Sequence, residues 1–266
     1  MDLDLKGKAA IVTGGSRGIG KAIALGLAKE GAKVAIVARD RGALEAARSE
    51  IAGATGMQLE AYSCDTGDDA AVKTMVAEAV SALGRVDILV NCAAQPGGQG
   101  KPPALGEITN EHFWADMNIK VMGYLRTSRE VAPHMIKAGS GRIIHVSGLA
   151  ARSTGTIIGS MRNVSVAALT KNMADELAPH GIAAVCVHPG LTRTEKTPGV
   201  IAAQAKAQGV SGKDIEARMA SRNLARKIIT AEEVADVVIF LASPKAVAIN
   251  GDAIGAGGGV PGVIHY

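Results

Sequence analysis

The run Thr13-Gly14-Gly15-Ser16-Arg17-Gly18-Ile19-Gly20 carries the most specific chemical signal in the chain. Gly14 permits a tight turn, Gly18 lets backbone amides approach a pyrophosphate, and Gly20 lets a following helix pack closely on the preceding strand. A helix that starts there adds positive partial charge at its N-terminus. Ser16, Arg17 and Ile19 complete the turn as candidate ligands of the same phosphate group. The context gives the pattern its weight: apolar Ala9-Ala10-Ile11-Val12 precedes it, and a helical pattern follows to about Lys29. Elsewhere the reactive residues are sparse. His145 and Ser147 share one face of a strand, and a free imidazole titrates near pH 6.5, which suits proton transfer; the other reading of His145 is a core hydrogen-bonder. Arg162 has a permanent charge that can polarise a carbonyl but cannot shuttle protons. Cys64, Cys92 and Cys186 are odd in number, widely spaced and set in apolar runs, so they read as buried thiols in a reducing compartment, with no metal site.

These residues need a scaffold, and the hydropathy pattern supplies one. Strands are expected at Ala9–Val12, Lys33–Ala38, Met57–Cys64, Val86–Asn91, Gly141–Ser147, Ile182–His188 and Asp252–Ala256. Helical patterns fall between them, including a long one over Glu107–Lys137 and others over Val164–Pro179 and Ala231–Ala242. Short strands that are apolar almost throughout, alternating with helices, predict an α/β fold. It is a single Rossmann-like doubly wound parallel sheet of about seven strands with helices on both faces. No linker divides the 266 residues, so one domain is expected over 1–266. The longest apolar runs, such as Val237–Ala242, fall far short of the roughly 20 residues that span a bilayer. The start of the chain lacks a basic-then-apolar leader, which predicts a cytoplasmic protein that does not engage membranes. A net charge of +4 with only 2% aromatic residues and no basic run argues against nucleic acid as a partner.

The motif at Thr13–Gly20 resembles the cofactor motif of the short-chain dehydrogenase/reductase family, and further matches follow in order. Asp65 is similar to its adenine-contacting aspartate, Asn91-Cys92-Ala93-Ala94 to its Asn-Asn-Ala-Gly segment, and Asn118 to its active-site asparagine. Pro189-Gly190 with Thr192 resembles the loop beside the nicotinamide, and Asn250-Gly251 and Gly257-Gly258 resemble the closing segment. The resemblance runs over about residues 5 to 260. It implies a nicotinamide dinucleotide cofactor, a small-molecule substrate, and homodimers or homotetramers formed by the helices at 107–137 and 164–179. Position 38, where the family usually places the acid that selects NAD, is Ala; Arg39 follows and Arg17 lies in the turn. Two guanidinium groups suit a dianionic 2′-phosphate, so NADP(H) is expected over NAD(H), with Asp40 as a mild counter-signal.

The sequence departs from the family at its centre. Catalysis there rests on Tyr-x-x-x-Lys, in which the ammonium lowers the phenol pKa from about 10. Anchored on Ala168–Asn172 and Glu176–Ile182, that window falls on Gly159-Ser160-Met161-Arg162-Asn163, and no tyrosine lies between Tyr124 and Tyr266. The family's serine falls on Gly148 without a gap, or on Ser147 with a one-residue shift. Candidate catalytic residues are therefore Asn118, Ser147, His145 and Arg162, with Ser160 and a trans-acting Tyr266 as further substitutes. Leu191–Lys227, the expected substrate lid, has eight basic residues against three acidic. That excess suits an anionic substrate, or simply a solvated amphipathic helix. Two readings remain open: an NADP(H)-dependent oxidoreductase with an atypical active site, or an NADP(H)-binding protein with little or no redox activity, acting as a sensor or partner subunit.

Overall fold

Period-two alternation splits the apolar strand residues between two layers, and helices cover both. The structure is a computed structural model that describes residues 1–94 and 103–261. Strands β1 (Ala9–Thr13), β2 (Lys33–Ala38), β3 (Glu60–Ser63), β4 (Ile88–Asn91), β5 (Gly141–Val146), β6 (Ile182–Pro189) and β9 (Ala253–Ala256) form one sheet. Its order is β3-β2-β1-β4-β5-β6-β9, and every pairing is parallel. On one face, Val12, Ile36 and Val90 pack against α1 (Gly18–Lys29), α2 (Arg41–Thr55) and α9 (Ala231–Ala242) through Leu27, Ile51 and Val238. On the other, Ile11, Val37 and Leu89 meet α3 (Asp69–Leu83), α5 (Gly123–Ala138) and α6 (Ile157–Leu177) through Val76, Met135 and Leu177. The seven-stranded, doubly wound sheet expected from the hydropathy pattern is the one observed. Its order reverses between β1 and β4, and parallel sheets of this kind open a crevice at the carboxyl ends of such strands.

Strand ends differ from expectation by one to three residues, and the helices differ more. The long helix over 107–137 is three pieces: α4 (Asn110–Met117), a π turn (Asn118–Met122) and α5. Arg126 holds the π turn, donating to the Asn118 carbonyl at 3.0 Å and to its side-chain oxygen at 2.8 Å. The helix placed at 164–179 begins at Ile157, because the Thr156 hydroxyl caps it by accepting from the Gly159 amide at 3.0 Å. Strand β3 starts at Glu60 and lies at the sheet edge, half exposed, so it lacks the apolar run of the central strands. The basic segment 191–227 contains α7 (Thr197–Gln208) and α8 (Gly212–Ala220), which close over Ile201, Ile215, Met219 and Ile228. A small parallel pair, β7 (Thr192–Arg193) with β8 (Ile229–Thr230), ties this segment to the start of α9.

Candidate active site

The crevice predicted at the β1/β4 switch is present. A cleft of about 380 Å³ lies there, lined by the Gly14–Gly20 turn, by Arg39 at the tip of β2, and by Cys92–Ala94 after β4. Gly20 is obligatory, since a Cβ on it would sit 2.2 Å from the Gly14 carbonyl oxygen. Gly18 has φ +55° and lies against Thr194, so a side chain there would be strained as well as crowded. Thr13, whose role the sequence did not announce, accepts from the amides of Cys92 and Ala93 at 3.1 and 3.2 Å and fixes the floor of the cleft. Asp40 also lines this cleft, beside Arg39. Its carboxylate caps α2 by accepting from Ala43 at 3.0 Å, and lies 3.5 Å from the Arg17 guanidinium.

Whether these residues suit a phosphorylated dinucleotide is tested by an anion of the chain itself. The Glu195 carboxylate accepts from the Gly18 amide at 3.1 Å and pairs with Lys21 at 3.1 Å. It thus occupies the N-terminus of α1, where unpaired amides and the helix dipole favour negative charge. The same donors suit a phosphate, and the residues present fit such a group.

Of the expected cofactor ligands, Gly14, Ser16, Arg17, Gly18, Ile19, Gly20, Arg39 and Ala93 line this cleft. Others are placed differently. Asn91 is buried beneath it, donating to Ser128 at 3.1 Å and accepting from Thr127 at 2.6 Å, which joins β4 to α5. Asp65 accepts from the Gly67 amide at 2.9 Å and shapes its own loop, while its neighbours Cys64 and Thr66 line the cleft. Pro189 is buried at the end of β6, and Gly190 packs on Gly257, whose Cα a Cβ at 190 would approach to 3.0 Å. Thr192 turns back to the Gly190 carbonyl at 3.1 Å, and Thr194, two residues on, lines the cleft in its place. The spacing after Pro189-Gly190 shows a threonine at both positions, so only the tertiary structure separates them.

The candidate catalytic residues fall into two groups. Ser147 donates to the Asn163 carbonyl at 3.0 Å, and a Cβ on Gly148 would lie 3.2 Å from the Asn163 side-chain nitrogen, so both alternative serine positions lie against Asn163. Asn118 points the other way, donating to the Gly67 carbonyl at 3.2 Å while Arg126 holds its oxygen. His145 is fully buried, with one ring nitrogen 2.9 Å from the Thr170 hydroxyl and the other 3.3 Å from that of Ser128. Burial lowers its pKa to about 3, so at neutral pH it stays a neutral imidazole with a single N–H, a core hydrogen-bonder rather than an imidazolium. Arg162 is locked in a two-pronged ion pair with Asp116, at 2.6 and 2.9 Å, that joins α6 to α4. Ser160 donates to the Ser153 carbonyl at 3.2 Å. At Gly159 a Cβ would come within 2.3 Å of the capping Thr156 hydroxyl, so the direction of a side chain there is already taken. Tyr266, expected as a trans-acting substitute, lies outside the described residues, as do residues 95–102.

One residue the sequence reading missed is Lys120. It is 4% exposed, and its ammonium donates to the Ser147 carbonyl at 2.8 Å. Burial first, and then the nearby Arg162 cation, lower its pKa to about 7, against the opposing influence of Cys92, Cys186 and Asp116. A lysine in a helical pattern reads as solvated, and nothing in the sequence announced the π turn that carries it inward.

The chain was compared with known proteins. The profile of the short chain dehydrogenase family matches residues 8–205. The chain is 32% identical to the short-chain reductase protein NovJ of Streptomyces niveus, covering 95% of this chain and 93% of that one. It is 31% identical to the 7alpha-hydroxysteroid dehydrogenase of Escherichia coli K12, over 97% of this chain and 96% of that one. Among solved structures, the L-sorbose reductase of Gluconobacter frateurii, complexed with NADPH and L-sorbose, superposes with a TM-score of 0.90 at 29% identity, covering 99% of this chain and 100% of that one. An NAD+-bound xylitol dehydrogenase superposes with a TM-score of 0.85 at 26% identity, over 96% and 100% of the two chains. The glycine turn, the strand order and these likenesses agree, and the chain belongs to the short-chain dehydrogenase family of oxidoreductases.

Proposed function

We propose that the protein is an NADP(H)-dependent oxidoreductase acting on a small carbonyl or alcohol substrate through an atypical active site. The observation that carries the cofactor choice is the pair Arg17 and Arg39 lining one cleft beside the uncharged Ala38. Their guanidinium groups suit a 2′-phosphate; of the acids lining the same cleft, Asp40 caps α2 and lies 3.5 Å from Arg17, and Glu195 sits at the N-terminus of α1. The Gly14–Gly20 turn and the N-terminus of α1 hold the pyrophosphate. When bound, the nicotinamide supplies or takes a hydride. The chain's own part is to hold the ring, exclude water and manage the proton. Relatives differ in coenzyme: the sorbose reductase is complexed with NADPH, the xylitol dehydrogenase with NAD+.

An anionic substrate receives limited support. Within 191–227, Arg193 pairs with Glu216, Lys227 with Glu233, and Arg218 donates to Gln208 at 2.8 Å. Lys196 is the basic residue of that segment that lines the cleft. Self-association is the expected quaternary state. Trp114 on α4 and Met161 and Val164 on α6 are 60%, 48% and 50% exposed, which leaves an apolar face for a second copy.

The second reading, an NADP(H)-binding sensor or partner subunit, is favoured by Gly159 and Asn163 standing where the family has its phenol and ammonium. Fluorescence titration with NADPH and NADH, followed by absorbance at the NADPH band with ketones, quinones and thioesters, separates the two. Tight NADPH binding with turnover is the expected result. Tight binding without turnover supports the sensor, and preference for NADH overturns the assignment of Arg17 and Arg39.

A further inference from the structure

The family's proton couple is missing from α6, yet the place it serves is not without an ionisable group. We propose that Lys120 Nζ is the proton-holding group of this site, taking over the role of the absent phenol and ammonium. The proposal deepens the oxidoreductase reading and rests on it.

The geometry starts at the π turn. Asn118–Met122 carries one more residue per turn than an α-helix, so the side chain at 120 swings toward β5. Its ammonium meets the Ser147 carbonyl at 2.8 Å, and the Ser147 hydroxyl meets Asn163. The nitrogen therefore lies at the backbone of Ser147, the residue whose hydroxyl bonds Asn163. Ile119, beside Lys120 in sequence, and Cys92, close enough to act on its charge, both line the cleft. Four groups act on the charge of this nitrogen: Arg162 on α6 disfavours it, while Asp116 on α4, Cys92 after β4 and Cys186 on β6 favour it. Asp116 is the one carboxylate among them, and it is already engaged at 2.6 Å by Arg162. The Cys92 and Cys186 thiols are pushed up to about 11, chiefly by burial, and stay neutral. The amine is held by a neutral carbonyl, and among the described residues no carboxylate forms an ion pair with it. It is well placed to release a proton and take it back, and its pKa of about 7 matches that chemistry.

The neighbours do not compete for the role. Tyr124, one helical turn further, gives its hydroxyl to the Val146 carbonyl at 2.9 Å and stacks on His145. Burial raises its pKa well above the ordinary phenol value. In the reducing direction, hydride reaches the carbonyl carbon and the π pair moves to oxygen. That oxygen takes the proton held at Lys120 Nζ: an O–H bond forms, an N–H bond breaks with its pair remaining on nitrogen, and water reprotonates the amine.

The test uses the full chain and two substitutions. Lys120→Met removes the titrating nitrogen at similar length; Lys120→Arg keeps a donor for the Ser147 carbonyl but cannot release a proton at neutral pH. Three readouts are taken: NADPH affinity by fluorescence, the pH profile of NADPH oxidation across the carbonyl panel, and a 13C titration of lysine Cε in protein without cofactor. The expected result is one Cε resonance titrating near pH 7 that both variants lack. NADPH affinity within threefold of wild type, and a rate loss of about 100-fold or more in both variants, complete it. Recovery by arginine to within threefold of wild type shows a structural anchor and overturns the proposal alone. Titration of the Lys120 resonance near pH 10 does the same. Wild-type protein that binds NADPH but reduces nothing overturns this proposal and the redox reading together. Failure to bind NADPH overturns the proposed function at its root and Lys120 with it.

Discussion

Arg39 and Lys120 show how far a side chain's meaning depends on what lies around it. Arg39 is a surface cation whose value comes from position: it sits at the tip of β2, at the cleft, where its neighbour Ala38 brings no competing charge. Arg39→Ala is expected to weaken NADPH binding by about 10- to 100-fold, as loss of one to two charge-assisted bonds would, and to leave NADH affinity within about threefold. Paired fluorescence titrations check this. Lys120 is the opposite case, a cation whose burial is a liability to the fold. Its folded-state pKa of about 7 lies below the ordinary 10.5, so between those values the unfolded chain binds more protons. Stability is therefore lost as pH falls from 10.5 to 7, and the full penalty applies below that. Lys120→Met is expected to be the more stable protein at pH 6, by as much as about 5 kcal/mol. The difference shrinks as pH approaches 10.5. Urea denaturation of both proteins at pH 6 and pH 10 measures it, and a variant less stable at both would count against the assigned burial.

At the scale of elements, α1 and the 191–227 segment are joined by one carboxylate. Glu195 bonds the Gly18 amide and Lys21, so the segment is docked on the very helix end that a pyrophosphate needs. A phosphate bound at this helix end would compete with Glu195 for the same donors. Glu195→Gln removes the charge while keeping the shape. It is expected to tighten NADPH binding by about 3- to 10-fold at low salt, in keeping with the worth of a charge at a helix terminus. The gain should fade at high salt. An unchanged or weakened affinity, read by the same titration, would show that the carboxylate and the phosphate occupy different places. The α4–α6 pair is fixed in the same manner by Asp116 and Arg162, and that pair brings the second cation up to Lys120.

Part of the exposed apolar surface of the described residues lies on those same two helices. Trp114, Met161 and Val164 are exposed large side chains, while the central strands have none to spare for solvent. A second copy is the occupant expected for this face. Val164→Asp places a charge in it and is expected to shift the protein toward monomer in sedimentation velocity, with secondary structure by circular dichroism unchanged because the residue is half exposed in the chain itself. Among the described residues no helix is long and apolar enough to cross a membrane.

The sequence by itself determined the sheet, the glycine turn and the absence of any tyrosine between Tyr124 and Tyr266. Each of these is a local property: strand-length apolar runs, glycines at fixed spacing, or residue types absent from a window. It misjudged the long helix, because a π turn leaves no mark on a 3.6-residue pattern, and it began α6 late, because Gly155, Thr156 and Gly159 look like a loop until the Thr156 cap is seen. Only the tertiary structure decided which threonine after Pro189 reaches the cleft, that Asp40 serves α2, that Glu195 reaches α1, and that Lys120 lies beneath Ser147. Those are contacts between residues remote in the chain or turned by a register shift. Their energies come from burial and from charges brought near by packing, quantities that spacing along a sequence does not carry.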